Sequence, residues 1–186
     1  EVFGLLGPNG AGKTTTVRML TALLAPSSGT ASVVGNRLGE DDQEIRRRIG
    51  LLPESPGLYD SLSAEQNLAF FGAMYGVADI SDQSQKYLEL LGLWNRRFEP
   101  VGTFSKGMRQ KLAIARALLL RPRVLLCDEP TGNLDPHTGH EVVDLLRRIH
   151  EDDGVTVVVA THDEVISRSA DRVLELRRGR LDDWGG

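Results

Sequence analysis

Gly7-Pro8-Asn9-Gly10-Ala11-Gly12-Lys13-Thr14 is the stretch whose reading decides the fold. It satisfies G-x-x-x-x-G-K-[ST] at every required position, and a second hydroxyl, Thr15, follows directly. The apolar run Val2–Leu6 enters it. Beyond it, residues 14–24 place Val17, Leu20, Leu23 and Leu24 on one helical stripe, which Pro26 and Gly29 end. A glycine-rich turn of this length can be a plain helix cap. Between a buried strand and a helix, however, its backbone N–H groups turn inward around phosphate oxygens, and the positive end of the helix adds to the field. Lys13 then reaches the β- and γ-phosphates of a nucleotide, and the Thr14 hydroxyl is a ligand for Mg²⁺.

Three further runs read as strands buried on both faces: Ile49–Leu52, Val124–Cys127 and Thr156–Ala160. Helical patterns lie between them. Lys106–Leu120 repeats Leu112, Ala115 and Leu119, with Pro122 beyond its end. Asp135-Pro136 offers an N-cap and a first-turn proline for a helix through Ile149. This alternation predicts an α/β fold with a mainly parallel sheet flanked by helices. The stretch 57–103 differs: it has a capping box at Ser63 and Gln66, a stop at Gly76, and a second helix from Ser81 to Leu91 before Gly92. We read one domain over 1–186, with a phosphate-loop core at 1–56 and 104–186 and an inserted α-helical subdomain at 57–103. A short helix is expected after His162, then a strand and turn through Arg172–Leu176, Arg178-Gly179 and Leu181.

Composition narrows the function classes. The net charge of −4 comes from mixed signs, so no basic track for nucleic acid and no polybasic arm for anionic lipid is present. The arginines at 46–48 read as a solvated helix face. A single cysteine, Cys127, excludes an internal disulfide and a multi-cysteine zinc site. No apolar run approaches the roughly 20 residues that span a bilayer. The chain is expected to be soluble by itself, and an abrupt start at Glu1 and end at Gly186 suggest an excised piece.

Val124–Cys127 ends in Asp128-Glu129. Beside a phosphate loop, the first acid can hold Mg²⁺ through water, and the second, on the opposite side of the strand end, can polarise an attacking water as a general base. Two solvated acids at a strand end are the plainer alternative; the loop upstream favours the catalytic reading.

Phe104-Ser105-Lys106-Gly107-Met108-Arg109-Gln110, followed by Asp128-Glu129-Pro130-Thr131-Gly132-Asn133-Leu134-Asp135, resembles the signature motif, Walker B and D-loop of ATP-binding cassette (ABC) ATPases. Thr161-His162-Asp163 resembles the switch histidine of that family. The resemblance runs from Glu1 to about Leu181. It implies MgATP binding and hydrolysis, with Glu129 and His162 catalytic, and Thr14, Asp128 and Glu54 around the metal. It also implies a head-to-tail dimer in which Ser105, Lys106, Gly107 and Met108 of one chain meet the ATP of the other, while Asp135 reaches across the interface as well as capping its helix. The implied partners are a second ABC ATPase domain and a transmembrane permease, the latter received by the Glu54 loop and the neighbouring helical subdomain. The implied location is cytoplasmic, peripheral on the membrane's cytoplasmic face, and no nucleic acid is expected.

Three departures from the pattern matter. Glu54, after Pro53, stands where the family usually has glutamine; it keeps an oxygen in reach and adds a charge. Lys106 replaces the first signature glycine, and either attracts phosphate or faces solvent. Both variants resemble ATPases of drug and antibiotic exporters. The adenine-stacking aromatic of the family lies upstream of the phosphate loop, and Phe3 is too near the loop to be that residue. This chain is therefore expected to bind ATP more weakly than one that carries the upstream segment, and to distinguish ATP poorly from GTP. The competing functions are a soluble relative acting in translation or DNA processing, and an ATP-binding regulator without turnover. Long coiled-coil or cysteine-rich insertions are lacking between the motifs, and the pair Glu129 and His162 argues against a pure binder. The remaining histidines, His137, His140 and His150, read as surface residues.

Overall fold

The computed structural model describes residues 1–163 and 167–184. A six-stranded sheet is built from β1 (Val2–Leu6), β4 (Ile49–Leu52), β5 (Val124–Asp128), β6 (Thr156–Thr161), β7 (Arg172–Arg177) and β8 (Arg180–Asp183). Their spatial order is β4-β5-β6-β1-β7-β8. All neighbouring pairs are parallel except β7 with β8, which the turn at Arg178-Gly179 makes antiparallel. Because the strands run together, the ends of β1, β4, β5 and β6 open on one edge, where ligands of open α/β sheets bind.

The apolar strands are buried on both faces, as their unbroken runs predict. On one face Leu125, Cys127, Val157 and Val159 pack with Leu112, Leu118, Val142 and Leu146. These partners come from α5 (Lys106–Leu118) and α6 (Pro136–Asp153). On the other, Leu5, Leu126 and Ala160 meet Val17 of α1 (Lys13–Leu20) and Ile45 of α2 (Asp42–Arg48). Each such fully buried aliphatic is worth about 1.5–3 kcal/mol relative to exposure. Burial pushes the Cys127 thiol far above its ordinary range, so it behaves as a small core hydrophobe. At the sheet edge a β-carbon on Gly50 would lie 2.5 Å from the Ala117 carbonyl, so this glycine lets α5 lie close on β4.

Residues 64–103 hold α3 (Ala64–Tyr75), α4 (Ile80–Leu90) and two short 3₁₀ turns. The capping box forms as read: Gln66 N–H donates to Ser63 Oγ at 3.1 Å, and Ser63 N–H to Gln66 Oε1 at 2.9 Å. Gly76 and Gly92 take left-handed backbone just past the helix ends. These helices are tied to the rest of the chain by Lys86 with Asp153 at 2.6 Å and by Arg121 with Asp79. Tyr87, buried beside Asp153, has its hydroxyl pushed up to about 12, chiefly by burial.

Several element boundaries differ from the sequence reading. Helix α1 stops at Leu20, four residues early, because Ala22 turns into left-handed backbone and the N–H groups of Leu23 and Leu24 both return to Arg18 O. Leu23 and Leu24 are consequently exposed and do not extend the buried stripe. Helix α6 runs four residues further than read, to Asp153, with Gly154 as its left-handed cap. The hairpin of β2 (Ser32–Val33) and β3 (Asn36–Arg37) and most of α2 went unread. Arg47 and Arg48 pair with Glu44 on the exposed face of α2, as a solvated helix face should. The short helix expected after His162 would begin on residues 164–166, which lie outside the described residues.

One carboxylate fastens β1 to its neighbours. Asp171 Oδ2 accepts the Val2 N–H at 2.7 Å and Oδ1 accepts Arg147 Nη2 at 3.2 Å. The Val2 hydrogen bond, with Arg147 adding, holds this carboxyl below its usual range. A lowered folded value stabilises above the unfolded carboxylate value, and that stabilisation is lost as pH falls through the folded one. Asp171→Ala is therefore expected to lower the melting temperature at pH 7, and thermal melts should show the gap closing below about pH 4. A gap that persists unchanged in acid contradicts this assignment.

Candidate functional site

The phosphate loop is held open by its neighbours in the sheet. Gly7 N–H donates to Thr161 O at 3.1 Å, and a β-carbon on Gly7 would lie 2.7 Å from Leu176 O, so only glycine passes between β6 and β7. Gly10 and Gly12 have φ of 80° and 107°, the left-handed backbone that the curl requires. Ala11 closes the turn through its N–H to Pro8 O at 3.1 Å. Asn9, Gly10, Gly12, Lys13, Thr14 and Thr15 line one side of a cavity of about 420 Å³; Glu54, Glu129, Gly132 and His162 line the other.

Lys13 is buried, 6% exposed, and its ammonium is fully occupied. It donates to Gly7 O at 2.7 Å and Pro8 O at 3.2 Å and pairs with Glu129 Oε1 at 3.2 Å. The other oxygen of Glu129, Oε2, accepts Thr161 Oγ1 at 3.2 Å and contacts His162 Nδ1 at 3.0 Å. Glu129 itself sits at φ 48°, unusual for a non-glycine residue, with its N–H on Ala160 O at 2.8 Å. Such strain persists where the surroundings over-determine it. Asp128 and Glu129 are adjacent at the strand end and turn to different partners, Thr14 for the first and Lys13 for the second.

Asp128 faces Thr14, whose Oγ1 donates to Asp128 Oδ1 at 3.1 Å. Burial raises the Asp128 carboxyl above its ordinary range, against the pull of the Thr14 hydroxyl. A buried carboxylate and a hydroxyl side by side fit a hard divalent cation, since Mg²⁺ takes oxygen donors and is completed by substrate phosphates and water. Among the described residues no group of three or more His, Cys, Asp or Glu is placed to hold a metal ion. Glu54 reaches the same cavity from the end of β4.

Thus the structure gathers the loop residues, Glu54, Asp128, Glu129 and His162 at one sheet edge. It does not bring the signature segment there. Ser105, Lys106, Gly107 and Met108 are absent from the cavity lining. Lys106 lines an adjoining cleft of about 210 Å³ with Glu54, Glu129, Gln110 and Asn133, so the cleft and the cavity share Glu54 and Glu129. Ser105 caps α5, its Oγ accepting Met108 N–H at 3.2 Å, and Met108 Sδ receives Arg96 Nη1 at 3.1 Å. Asp135 caps α6 through Thr138 N–H at 3.0 Å, and the Thr138 side chain first, then this N–H, holds its carboxyl below the ordinary range. Two contributors, quoted within motifs above, had been given no role of their own. Thr161, beside His162, stands under Glu129 and donates to its Oε2. Gln110 donates to Pro130 O at 2.8 Å and is buried; its polarity inside an apolar helix pattern was the available clue.

A parallel sheet whose edge carries a glycine-rich loop, a buried lysine and an Asp-Glu pair defines a phosphate-loop nucleotide-binding domain. The family model described as ABC transporter matches residues 1–132, and the chain belongs to that family. It is 35% identical over 184 residues to the linearmycin resistance ATP-binding protein LnrL of Bacillus subtilis (strain 168), covering 97% of this chain and 59% of the relative. It is 38% identical over 182 residues to the bacitracin transport ATP-binding protein BcrA of Bacillus licheniformis, covering 97% and 59%. The chain thus spans about three fifths of the length of the curated relatives it matches. Among solved structures, cbiO1 from Clostridium perfringens, part of the ABC transporter complex cbiONQ, aligns with a TM-score of 0.89 at 31% identity, over 98% of this chain and 75% of that one. The dimeric post-hydrolysis state of the ATP-binding cassette MJ0796, bound to ADP and Pi, aligns with a TM-score of 0.84 at 30% identity, over 100% and 86%.

Proposed function

We propose that this chain binds and hydrolyses MgATP as the nucleotide-binding part of an ABC exporter, acting as a head-to-tail dimer. The observation that carries the reading is the convergence of Lys13, Thr14, Glu129 and His162 on one cavity, with Asp128 held against Thr14, while Ser105–Met108 do not line it. A signature segment away from its own phosphate loop suits service to a second copy or a related domain. The relatives named for linearmycin resistance and bacitracin transport support the exporter direction.

In this account Lys13 leaves Glu129 and the loop carbonyls for the β- and γ-phosphates as nucleotide enters. That exchange releases Glu129 Oε1 to take a proton from water. The water oxygen attacks the γ-phosphorus, the bond from phosphorus to the β-bridging oxygen breaks, and ADP departs with that electron pair. His162, already against Glu129, orients the water and the γ-phosphate. Bound through Thr14, Asp128 and Glu54, Mg²⁺ would supply charge neutralisation at the phosphates.

Residues 57–103 act in this reading as a helical subdomain beside a core of 1–56 and 104–186, and the groove between them receives a transmembrane partner. No helix among the described residues is long and apolar enough to cross a membrane. A groove of about 350 Å³ lies along the free edge of β4, lined by Leu23, Arg46, Leu51, Pro53, Tyr75 and Arg116. Exposed Leu24, Phe70 and Met74 add apolar surface. Phe70 stacks edge-on to both Tyr59 and buried Phe71, so this aromatic group serves packing as well as display. The expected result is phosphate release from MgATP that EDTA abolishes. Release unaffected by EDTA contradicts the roles given to Thr14 and Asp128.

A further inference from the structure

The loop that carries Glu54 has little to hold it from within. It leaves β4 at Leu52 and runs through Pro53-Glu54-Ser55-Pro56-Gly57-Leu58. Its two prolines have no N–H to donate, and Gly57 turns it with a φ of 59°. Among the described residues, the hydrogen bonds to the backbone of 53–58 come from one side chain, that of Arg116. Its Nη1 donates to Pro56 O at 2.7 Å and to Gly57 O at 3.2 Å.

Arg116 stands on a firm base. It belongs to α5, near the wholly buried Leu112 and Leu118, and is itself 7% exposed. The guanidinium lies over the ring of Phe71 from α3, with Cζ 4.8 Å from the ring centroid. Its partners are therefore carbonyls and a ring, and burial draws it below its usual range. A buried charge is tolerated where its donors are met, so guanidinium and carbonyls hold each other in place. Seven residues earlier on the same helix face, Arg109 pairs with Asp60 at 2.6 Å, but Asp60 is exposed and such a pair holds little.

Glu54 lies two residues from Leu52, which pairs with Cys127 in the sheet, and two from Pro56. Pinned at both ends, the loop has little freedom to carry the Glu54 carboxylate away from the cavity it shares with Thr14. We propose that Arg116 is a positioning residue for the metal site: its hold on Pro56 and Gly57 keeps Glu54 in that cavity. The inference rests on the reading of Glu54 as a metal ligand. Arg116 also lines the groove along β4, so one side chain touches both that groove and the Glu54 loop.

The test reads metal affinity instead of turnover. In the full chain carrying Glu129→Gln, with ATP bound, Mn²⁺ stands in for Mg²⁺. Its affinity is measured by electron paramagnetic resonance, well below the melting temperature of each variant. Groups that orient a metal ligand typically set affinity by about tenfold or more, so Arg116→Met, similar in length but without donors, should weaken Mn²⁺ by about tenfold. Glu54→Ala should weaken it at least as much, and the double variant no further than Glu54→Ala alone, because both act through one carboxylate. Arg116→Lys returns a cationic donor and should recover to within about threefold of the parent. If Arg116→Met does not fold, Arg116→Gln, too short to reach the carbonyls, runs the same cycle. Parent affinity in the Arg116 variant overturns the proposal. So does a double variant whose losses multiply, since Arg116 would then act by a route other than Glu54. Parent affinity in Glu54→Ala means that Glu54 is no ligand; that reading fails first, and the proposal falls with it.

Discussion

Lys13→Ala is expected to reduce MgATP turnover by about 10²–10³-fold, the cost of losing one preorganised donor to developing phosphate charge. Nucleotide affinity should fall as well, because the lysine meets the β- and γ-phosphates in the ground state. The geometry adds a second consequence. Glu129 is only 13% exposed at its side chain, and Lys13 is its cationic partner at 3.2 Å. Breaking one side of a buried pair costs about 3–5 kcal/mol. The variant is therefore expected to melt earlier without nucleotide, and thermal melts beside nucleotide titration separate the two effects. Wild-type affinity in Lys13→Ala contradicts the assignment.

Glu129→Gln is expected to lower turnover by about 10²–10⁴-fold, the usual contribution of a positioned general base. Binding should survive, because Lys13 can still move from the carbonyls of Gly7 and Pro8 to the phosphates and the amide keeps an oxygen for Thr161. The contrast between the two variants is the useful feature. One loses binding and turnover together, the other turnover alone, and steady-state phosphate release with equilibrium nucleotide binding distinguishes them. Equal loss of affinity in both would mean that Glu129 is a phosphate-site residue instead of a base.

Much of the site was legible because its determinants are local. The phosphate loop needs only consecutive residues, and the unbroken apolar runs of β1, β4, β5 and β6 report strands buried on both sides. The capping box of Ser63 and the proline after Asp135 also announce themselves within four residues. Long-range consequences were not legible. Nothing in the sequence told that Lys13 and Glu129, 116 positions apart, would pair, or that Arg116 would hold Pro56 and Gly57. The end of α1 misled because Leu23 and Leu24 continue the helical period, while the actual stop is a left-handed Ala22 whose identity carries no turn signal. The hairpin of β2 and β3 has two residues per strand, too few for any period to register.

In the proposed dimer two chains close around ATP, each supplying Ser105–Met108 to the other's phosphate loop. Sedimentation of Glu129→Gln with and without MgATP, with Lys13→Ala as the non-binding control, tests it most directly. The expected result is a dimer that requires MgATP and is absent from the control. A chain that stays monomeric while binding MgATP would contradict it.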